Sequence, residues 1–303
     1  MNFYRTVIKG LIVSLIVFSA ASCNREEAPP LHDQIMDVIN TVDGDMAVVL
    51  LGMDNAAGHV LINENERFHA ASTMKTPVMI EAFKQAEEGK FSLEDSILVK
   101  NEFSSIVDGS PFSLSIDRDW GDALYDKLGT RVPMREVIYD MITRSGNLAT
   151  NLMIELVGAE NANRTMHELG AVNIQVLRGV EDMKAFDQGL NNETTAMDLA
   201  IIYREIARKS VVSERACDEM IGILKDQYFK DMIPADLPED VEVAHKTGSI
   251  TGVNHDSGIV YLPDGRSYVL VILSKNLSNN SDGRDAGAEI SRLIYEHYNS
   301  RTM

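Results

Sequence analysis

A chain of 303 residues that is 45% hydrophobic and 24% charged has an ordinary globular composition and can bury a sizeable core, as one large domain or two small ones. Its net charge of −18 gives no electrostatic reason to bind nucleic acid, and it disfavours anionic ligands unless a local cationic pocket reverses the field. Most of the seven histidines are scattered, with no Cys-rich, His-rich or glycine-rich phosphate-binding pattern, so no metal and no cofactor is expected.

The chain opens on an export signal. Arg5 and Lys9 precede Leu11 to Phe18, a mostly apolar run too short for a membrane span. Ser19-Ala20-Ala21-Ser22-Cys23 follows. Small residues ending in Cys resemble a bacterial lipoprotein signal over residues 1–22, in which Cys23 is acylated and becomes the mature first residue. Ordinary signal cleavage, with Cys23 incidental, is the alternative. Several acyl chains would anchor the protein to a membrane, at about 0.8 kcal/mol per buried methylene. The expected location is therefore the bacterial cell envelope, on its periplasmic face or at the cell surface. Residues 23–30 read as a tether and 31–303 as the mature domain. Only Cys217 then remains, and no intramolecular disulfide is expected.

Residues 31–42 have helical periodicity, with Leu31, Ile35, Val38 and Ile39 on one face. Met46 to Leu51 and Gly58 to Ile62 predict two strands joined by a turn around Asp54-Asn55. Ser72 to Glu88 predicts a helix ended by Gly89, and 92–120 is irregular. Val132 to Thr143, Ala149 to Val157 and Ala162 to Leu169 predict three helices with short links. Gly179 to Asn192 lacks periodicity and is read as a long loop. Thr195 to Arg208 and Glu214 to Leu224 are helical again. Glu242 to Lys246, Ser257 to Leu262 and Tyr268 to Ser274 predict strands, the last two joined at Pro263-Asp264-Gly265. A helix over Asp285 to Tyr298 closes the chain. Strands near both ends with helices between them predict an α+β fold, one sheet assembled from both termini around a helical insert.

Three short segments carry chemistry in this order: Ser72-Thr73-Met74-Lys75, Ser145-Gly146-Asn147 and Lys246-Thr247-Gly248. Each is weak alone. On a helix, Ser72 and Lys75 share a face about 5–6 Å apart, and a lysine with a lowered pKa can help take the proton from a serine nucleophile. A surface pair on an amphipathic helix is the plain alternative. Ser145 and Asn147, between two helices, are equally suited to capping. Lys246 on a strand could be a protective edge charge.

The order and separations resemble the class A serine β-lactamases and the related penicillin-binding proteins, whose signature is S-x-x-K, S-D-N, K-T-G. The resemblance covers roughly residues 35–300. Glu66-Arg67-Phe68 and Thr76-Pro77-Val78 flank Ser72 in the family's manner, and Ile250 through Val260, Pro263-Asp264-Gly265 and Val269 to Ser274 follow the family closely. The middle motif departs from the pattern, with Gly146 where Asp is usual. The resemblance implies a five-stranded antiparallel sheet flanked by helices plus an all-helical subdomain. It implies Ser72 as nucleophile, Lys75 as proton acceptor and Ser145 as proton relay. Asn147 and the rim aromatic Trp120 would hold substrate. Lys246 would supply positive charge, Thr247 and Ser249 would bind a carboxylate, and Gly248 would admit the ligand close to the backbone. The amides of Ser72 and Ser249 would form an oxyanion hole.

Glu181, 36 residues beyond Ser145, lies where the family places the base for the deacylating water, although the usual E-x-x-L-N is absent and Asp182 follows it. A solvated loop carboxylate is the alternative. Arg178 and Glu193 are expected to pair across the ends of the loop. The function implied is hydrolysis of β-lactams through an acyl-enzyme by a monomer. A D-alanyl-D-alanine peptidase acting on a peptidoglycan-like substrate and an inactive envelope binding protein remain as alternatives.

Overall fold

The computed structural model describes residues 29–53 and 58–300. The signal segment, Cys23, most of the tether and the turn at Asp54-Asn55 lie outside the described residues.

The main sheet has five antiparallel strands: β1 (Asp45–Gly52), β2 (His59–Ile62), β3 (Glu242–Ile250), β4 (Val253–Tyr261) and β5 (Ser267–Lys275). Their spatial order is β2-β1-β5-β4-β3, so the first strands pair with the last one. The sequence Met46-Ala47-Val48-Val49-Leu50-Leu51 is buried throughout because both faces of β1 are covered. The two-residue period of a strand separates its side chains. Met46, Val48 and Leu50 join one apolar cluster, with Leu31, Ile35, Ile290 and Ile294. Ala47, Val49 and Leu51 join the other, with Met74, Val78, Leu148 and Leu199.

The first cluster lies beneath α1 (Leu31–Ile39) and the C-terminal helix, which runs from Asn280 to Ser300. The second lies against the helical part. That part comprises α2 (Lys75–Glu87), α3 (Met134–Thr143), α4 (Asn147–Val157), α5 (Ala159–Glu168), α6 (Met183–Asp187), α7 (Ala196–Ala207) and α8 (Glu214–Lys225). The C-terminal helix is α9. The expected α+β plan is the observed one.

Three differences bear on the site. The helix expected from Ser72 begins as a tight 3-10 turn, Ala71–Met74, and becomes α-helical only at Lys75. Strand β3 runs to Ile250, four residues past its expected end, which puts the whole Lys246-Thr247-Gly248 segment on a sheet edge. The segment read as structureless from Gly179 to Asn192 contains α6. Its N-cap is Asp182, whose side chain accepts from Ala185 N.

Candidate active site

The site forms where the Ala71–Met74 turn, the α3–α4 junction and the edge strand β3 meet. Lys75 enters from the first turn of α2 and is fully buried. Its Nζ donates to Ser145 O at 2.6 Å, Ser145 Oγ at 3.2 Å and Asn147 Oδ1 at 3.1 Å. Lys246 enters from β3 and is also fully buried, so it is not a solvent-facing edge charge. Its Nζ donates to Ser145 Oγ at 3.1 Å and to Thr247 O at 2.9 Å. Two ammonium groups thus converge on one hydroxyl.

Burial, with no carboxylate ion pair among the described residues, makes these cations costly to charge. Desolvation brings Lys75 down to about 7, against the opposing pull of Asp119 and Asp140. Lys246 is held well below its ordinary value by burial first, then by Lys75, while Asp256 acts the other way. An amine that can be neutral near pH 7 can accept a proton from a nearby serine.

Ser72 lies on the tight turn one residue after Ala71, whose φ is +45°. Ser145 also has positive φ, at +59°, as does Glu181, at +63°. Non-glycine residues seldom adopt this region, and such strain often marks working sites. On β3, a Cβ at Gly248 would lie 3.0 Å from Ser72 N and 3.2 Å from Ala71 Cβ. Glycine at Gly248 thus permits a close approach of strand and turn, which brings the Ser72 amide beside the backbone leading to Ser249. The Ser249 hydroxyl accepts from Asn280 Nδ2 at 3.3 Å. Thr247 stands opposite Asp256 in the sheet register.

Trp120 is 71% exposed and meets Phe229 edge to face at 5.4 Å, so it is a surface aromatic and no part of the core. Glu181 is not drawn into the lysine network: its Oε2 accepts from Ser115 N at 3.3 Å, and its Oε1 is buried with no partner among the described residues. Asp182 is engaged by Ser105 Oγ at 2.8 Å and Ile106 N at 2.9 Å.

The expected Arg178–Glu193 pair does not form. Glu193 takes Arg67 at 2.9 Å. Arg178 donates to Leu190 O, Gly179 O and Asn191 Oδ1. The ends of the loop are joined by a neutral amide. Asn192 Oδ1 accepts from Leu177 N at 2.7 Å and Arg178 N at 3.1 Å, while its Nδ2 donates to Arg178 O at 3.1 Å. An asparagine offers donor and acceptor together and avoids burying an ion pair, which is costly to desolvate.

Sequence reasoning missed three residues. Asn151 grips the Val180 peptide, accepting from its N at 2.6 Å and donating to its O at 2.9 Å. Asp119 accepts from the amides of Asn147 and Leu148, each at 2.8 Å. Asp140 lies under the α3–α4 junction, and burial pushes its carboxyl up to about 6. The missing Asp at position 146 was the available signal, since the helix beginning there still needs a cap.

The model of the Beta-lactamase enzyme family matches residues 30–298. The extended-spectrum β-lactamase PER-1 of Pseudomonas aeruginosa is 23% identical over 304 aligned residues, covering 96% of this chain and 94% of that protein. A β-lactamase of Bacteroides uniformis is 23% identical over 311, covering 94% and 97%. Among solved structures, PBP-A is similar with a TM-score of 0.76 and 26% identity, over 89% of this chain and 96% of the other.

Proposed function

This chain belongs to the Beta-lactamase enzyme family, and from that premise we infer that it is a serine hydrolase that opens β-lactam rings through an acyl-enzyme on Ser72. The observation that carries the residue assignment is the convergence of Lys75 and Lys246 on Ser145 Oγ.

In this reading the neutral Lys75 amine takes the Ser72 hydroxyl proton as Ser72 Oγ attacks the β-lactam carbonyl. The amides of Ser72 and Ser249 receive the developing oxyanion. The C–N bond breaks as Ser145 passes a proton to the leaving nitrogen, and Lys75 replenishes Ser145. Lys246, Thr247 and Ser249 bind the substrate carboxylate, reversing locally the repulsion of an acidic protein. Asn147 holds the substrate amide and Trp120 forms the rim. Water then hydrolyses the ester, with Glu181 as its base.

One observation favours a second reading, acylation with slow release, as expected of a penicillin-binding protein or D-alanyl-D-alanine peptidase. Glu181 is bonded to Ser115, whereas Lys75 takes its partners from the α3–α4 junction. A variant of PBP-A is described as an acyl-enzyme complex with penicillin G. The intact Ser72, Lys75 and Lys246 speak against an inactive binding protein, with both lysines buried around the Ser145 hydroxyl.

Mixing the protein with a chromogenic cephalosporin, while following turnover and intact mass together, tests the reading. Turnover with a transient adduct on Ser72 is expected. A persistent adduct selects the second reading, and an adduct that survives Ser72→Ala removes the nucleophile assignment.

Attachment to the envelope through acylated Cys23, after loss of residues 1–22, is part of the same proposal. It rests on the sequence pattern. Among the described residues no helix is long and apolar enough to cross a membrane. Release of Cys23→Ala protein from the membrane fraction is the expected result.

A further inference from the structure

Gly146 is the one departure from the family's middle motif, and the structure gives it a physical cause. Its φ of −55° and ψ of 123° are open to any residue, so conformation does not demand glycine. Space does. A Cβ added at Gly146 would lie 2.0 Å from Asp140 Oδ2, and one added at Gly121 would lie 2.4 Å from the same oxygen. Asp140 stands six residues earlier, in α3, and sends its carboxylate into the volume that a side chain at position 146 would claim. That Oδ2 is buried with no hydrogen-bond partner among the described residues.

Asp119 reaches the same junction from the loop before α3. Helix α4 has Gly146 at its N-cap, with no side chain to satisfy its first amides. Asp119 satisfies them from outside the helix: Oδ1 accepts from Asn147 N and Oδ2 from Leu148 N. It also accepts from Gly121 N at 3.0 Å and Tyr125 Oη at 3.2 Å. A carboxylate at a helix N-terminus is favoured by both the hydrogen bonds and the helix dipole. Holding the Asn147 backbone sets the position from which its side chain reaches Lys75, whose Nζ donates to Asn147 Oδ1.

We propose that the carboxylate absent from the middle motif is supplied by two other segments, Asp140 filling the space beneath Gly146 and Asp119 capping α4, and that both are positioning residues holding Ser145 and Asn147 against Lys75. The catalytic part of this rests on the function proposed above, whereas the packing part does not.

The charges in this region are Lys75, Lys246, Asp119, Asp122, Asp140, Arg144 and, facing Lys246, Asp256, with Tyr125 bonded to Asp119 and Glu181 close enough to act on Tyr125. Asp119 and Asp140 favour the charged form of Lys75. Removing the Asp140 charge therefore lowers the Lys75 pKa and makes the neutral amine available at lower pH. The acid limb of kcat/KM for Asp140→Asn should move to lower pH. A purely structural role would reduce the rate without moving that limb.

The decisive experiment compares four proteins: the parent, Gly146→Asp, Asp140→Gly and the double variant. Restoring the family's usual Asp by Gly146→Asp alone should lower the thermal midpoint, or prevent folding, and reduce cephalosporin kcat/KM at least ~10²-fold. Adding Asp140→Gly should recover soluble protein and at least ~10-fold of that loss. A Gly146→Asp protein as stable and active as the parent would overturn the proposal, as would a double variant no better than Gly146→Asp. Should the parent itself open no cephalosporin, the proposed function fails. The unfolding midpoints then decide the packing: a double variant above Gly146→Asp supports it, and one at or below overturns it.

Discussion

Lys75 and Lys246 donate to the same oxygen, Ser145 Oγ, at 3.2 and 3.1 Å. Two ammonium groups at one hydroxyl repel each other, so the pair gives up a first proton more readily than either lysine alone. A substrate carboxylate beside Lys246 would hold the remaining charge there, leaving Lys75 as the neutral partner.

The first prediction concerns Lys246. Lys246→Ala should lower kcat/KM by at least ~10²-fold, equivalent to about 2.7 kcal/mol. Lys246→Arg should keep part of the activity if charge is what the site needs. A Lys246→Ala enzyme near the parental kcat/KM would place the carboxylate elsewhere.

The pH dependence follows from Lys75, brought down to about 7 by burial. In the proposed mechanism the neutral amine is the working form. Acylation should therefore be near its plateau above this value and fall toward tenfold per pH unit below it. The check is the acid limb of kcat/KM measured with one cephalosporin. Lys75→Arg, whose side chain stays charged throughout, should show no plateau at any accessible pH.

Glu181 gives a prediction about release. If it activates the deacylating water, Glu181→Gln should slow deacylation by on the order of 10²–10⁴ while acylation proceeds. Intact mass would then show the adduct accumulating. Unchanged turnover would exclude Glu181 as the base.

Asn192 should be worth more than a usual surface loop residue. It is buried and holds three backbone groups of Leu177 and Arg178. Asn192→Ala leaves them unsatisfied and should cost at least about 2 kcal/mol of stability, since each buried unpaired group costs about 1–3 kcal/mol. Chemical denaturation measures this directly. Arg178→Ala separates the loop's neutral clasp from its charge and should cost less.

The sheet and the main helices were legible because their apolar pattern is strong: the short unbroken apolar run Met46 to Leu51, bounded by turn residues, suits a buried strand, and the four-residue spacing of Leu31, Ile35 and Ile39 suits a helix face. The three motifs were legible as residue types in order. Their mutual contact was not, because Lys75, Ser145 and Lys246 meet only through folding. Arg178 and Glu193 misled because opposite charge is visible in a sequence, whereas the fit of an asparagine between two peptide groups is not. Asp119 and Asp140 belong to no motif: the absent Asp at position 146 hints that a cap comes from elsewhere, but only the hydrogen bonds of Asp119 and the packing of Asp140 against Gly146 identify them.

The order β2-β1-β5-β4-β3 also governs when this molecule can become itself. Val48 faces Ile272 in the register, a partner made more than 200 residues later. During synthesis β1 can form its hairpin with β2, but the central pairing must wait for almost the entire chain. Such distant closure slows folding and leaves the six-residue apolar run of β1 uncovered meanwhile. An unfolded chain threading across a membrane would tolerate this delay, and a fragment ending before Ser267 would lack the strand that joins the two halves of the sheet. Late assembly also ties the site to completion: the segment carrying Lys246 is held in place through β4 and β5, so a chain without β5 has no seated edge strand to meet Ser72.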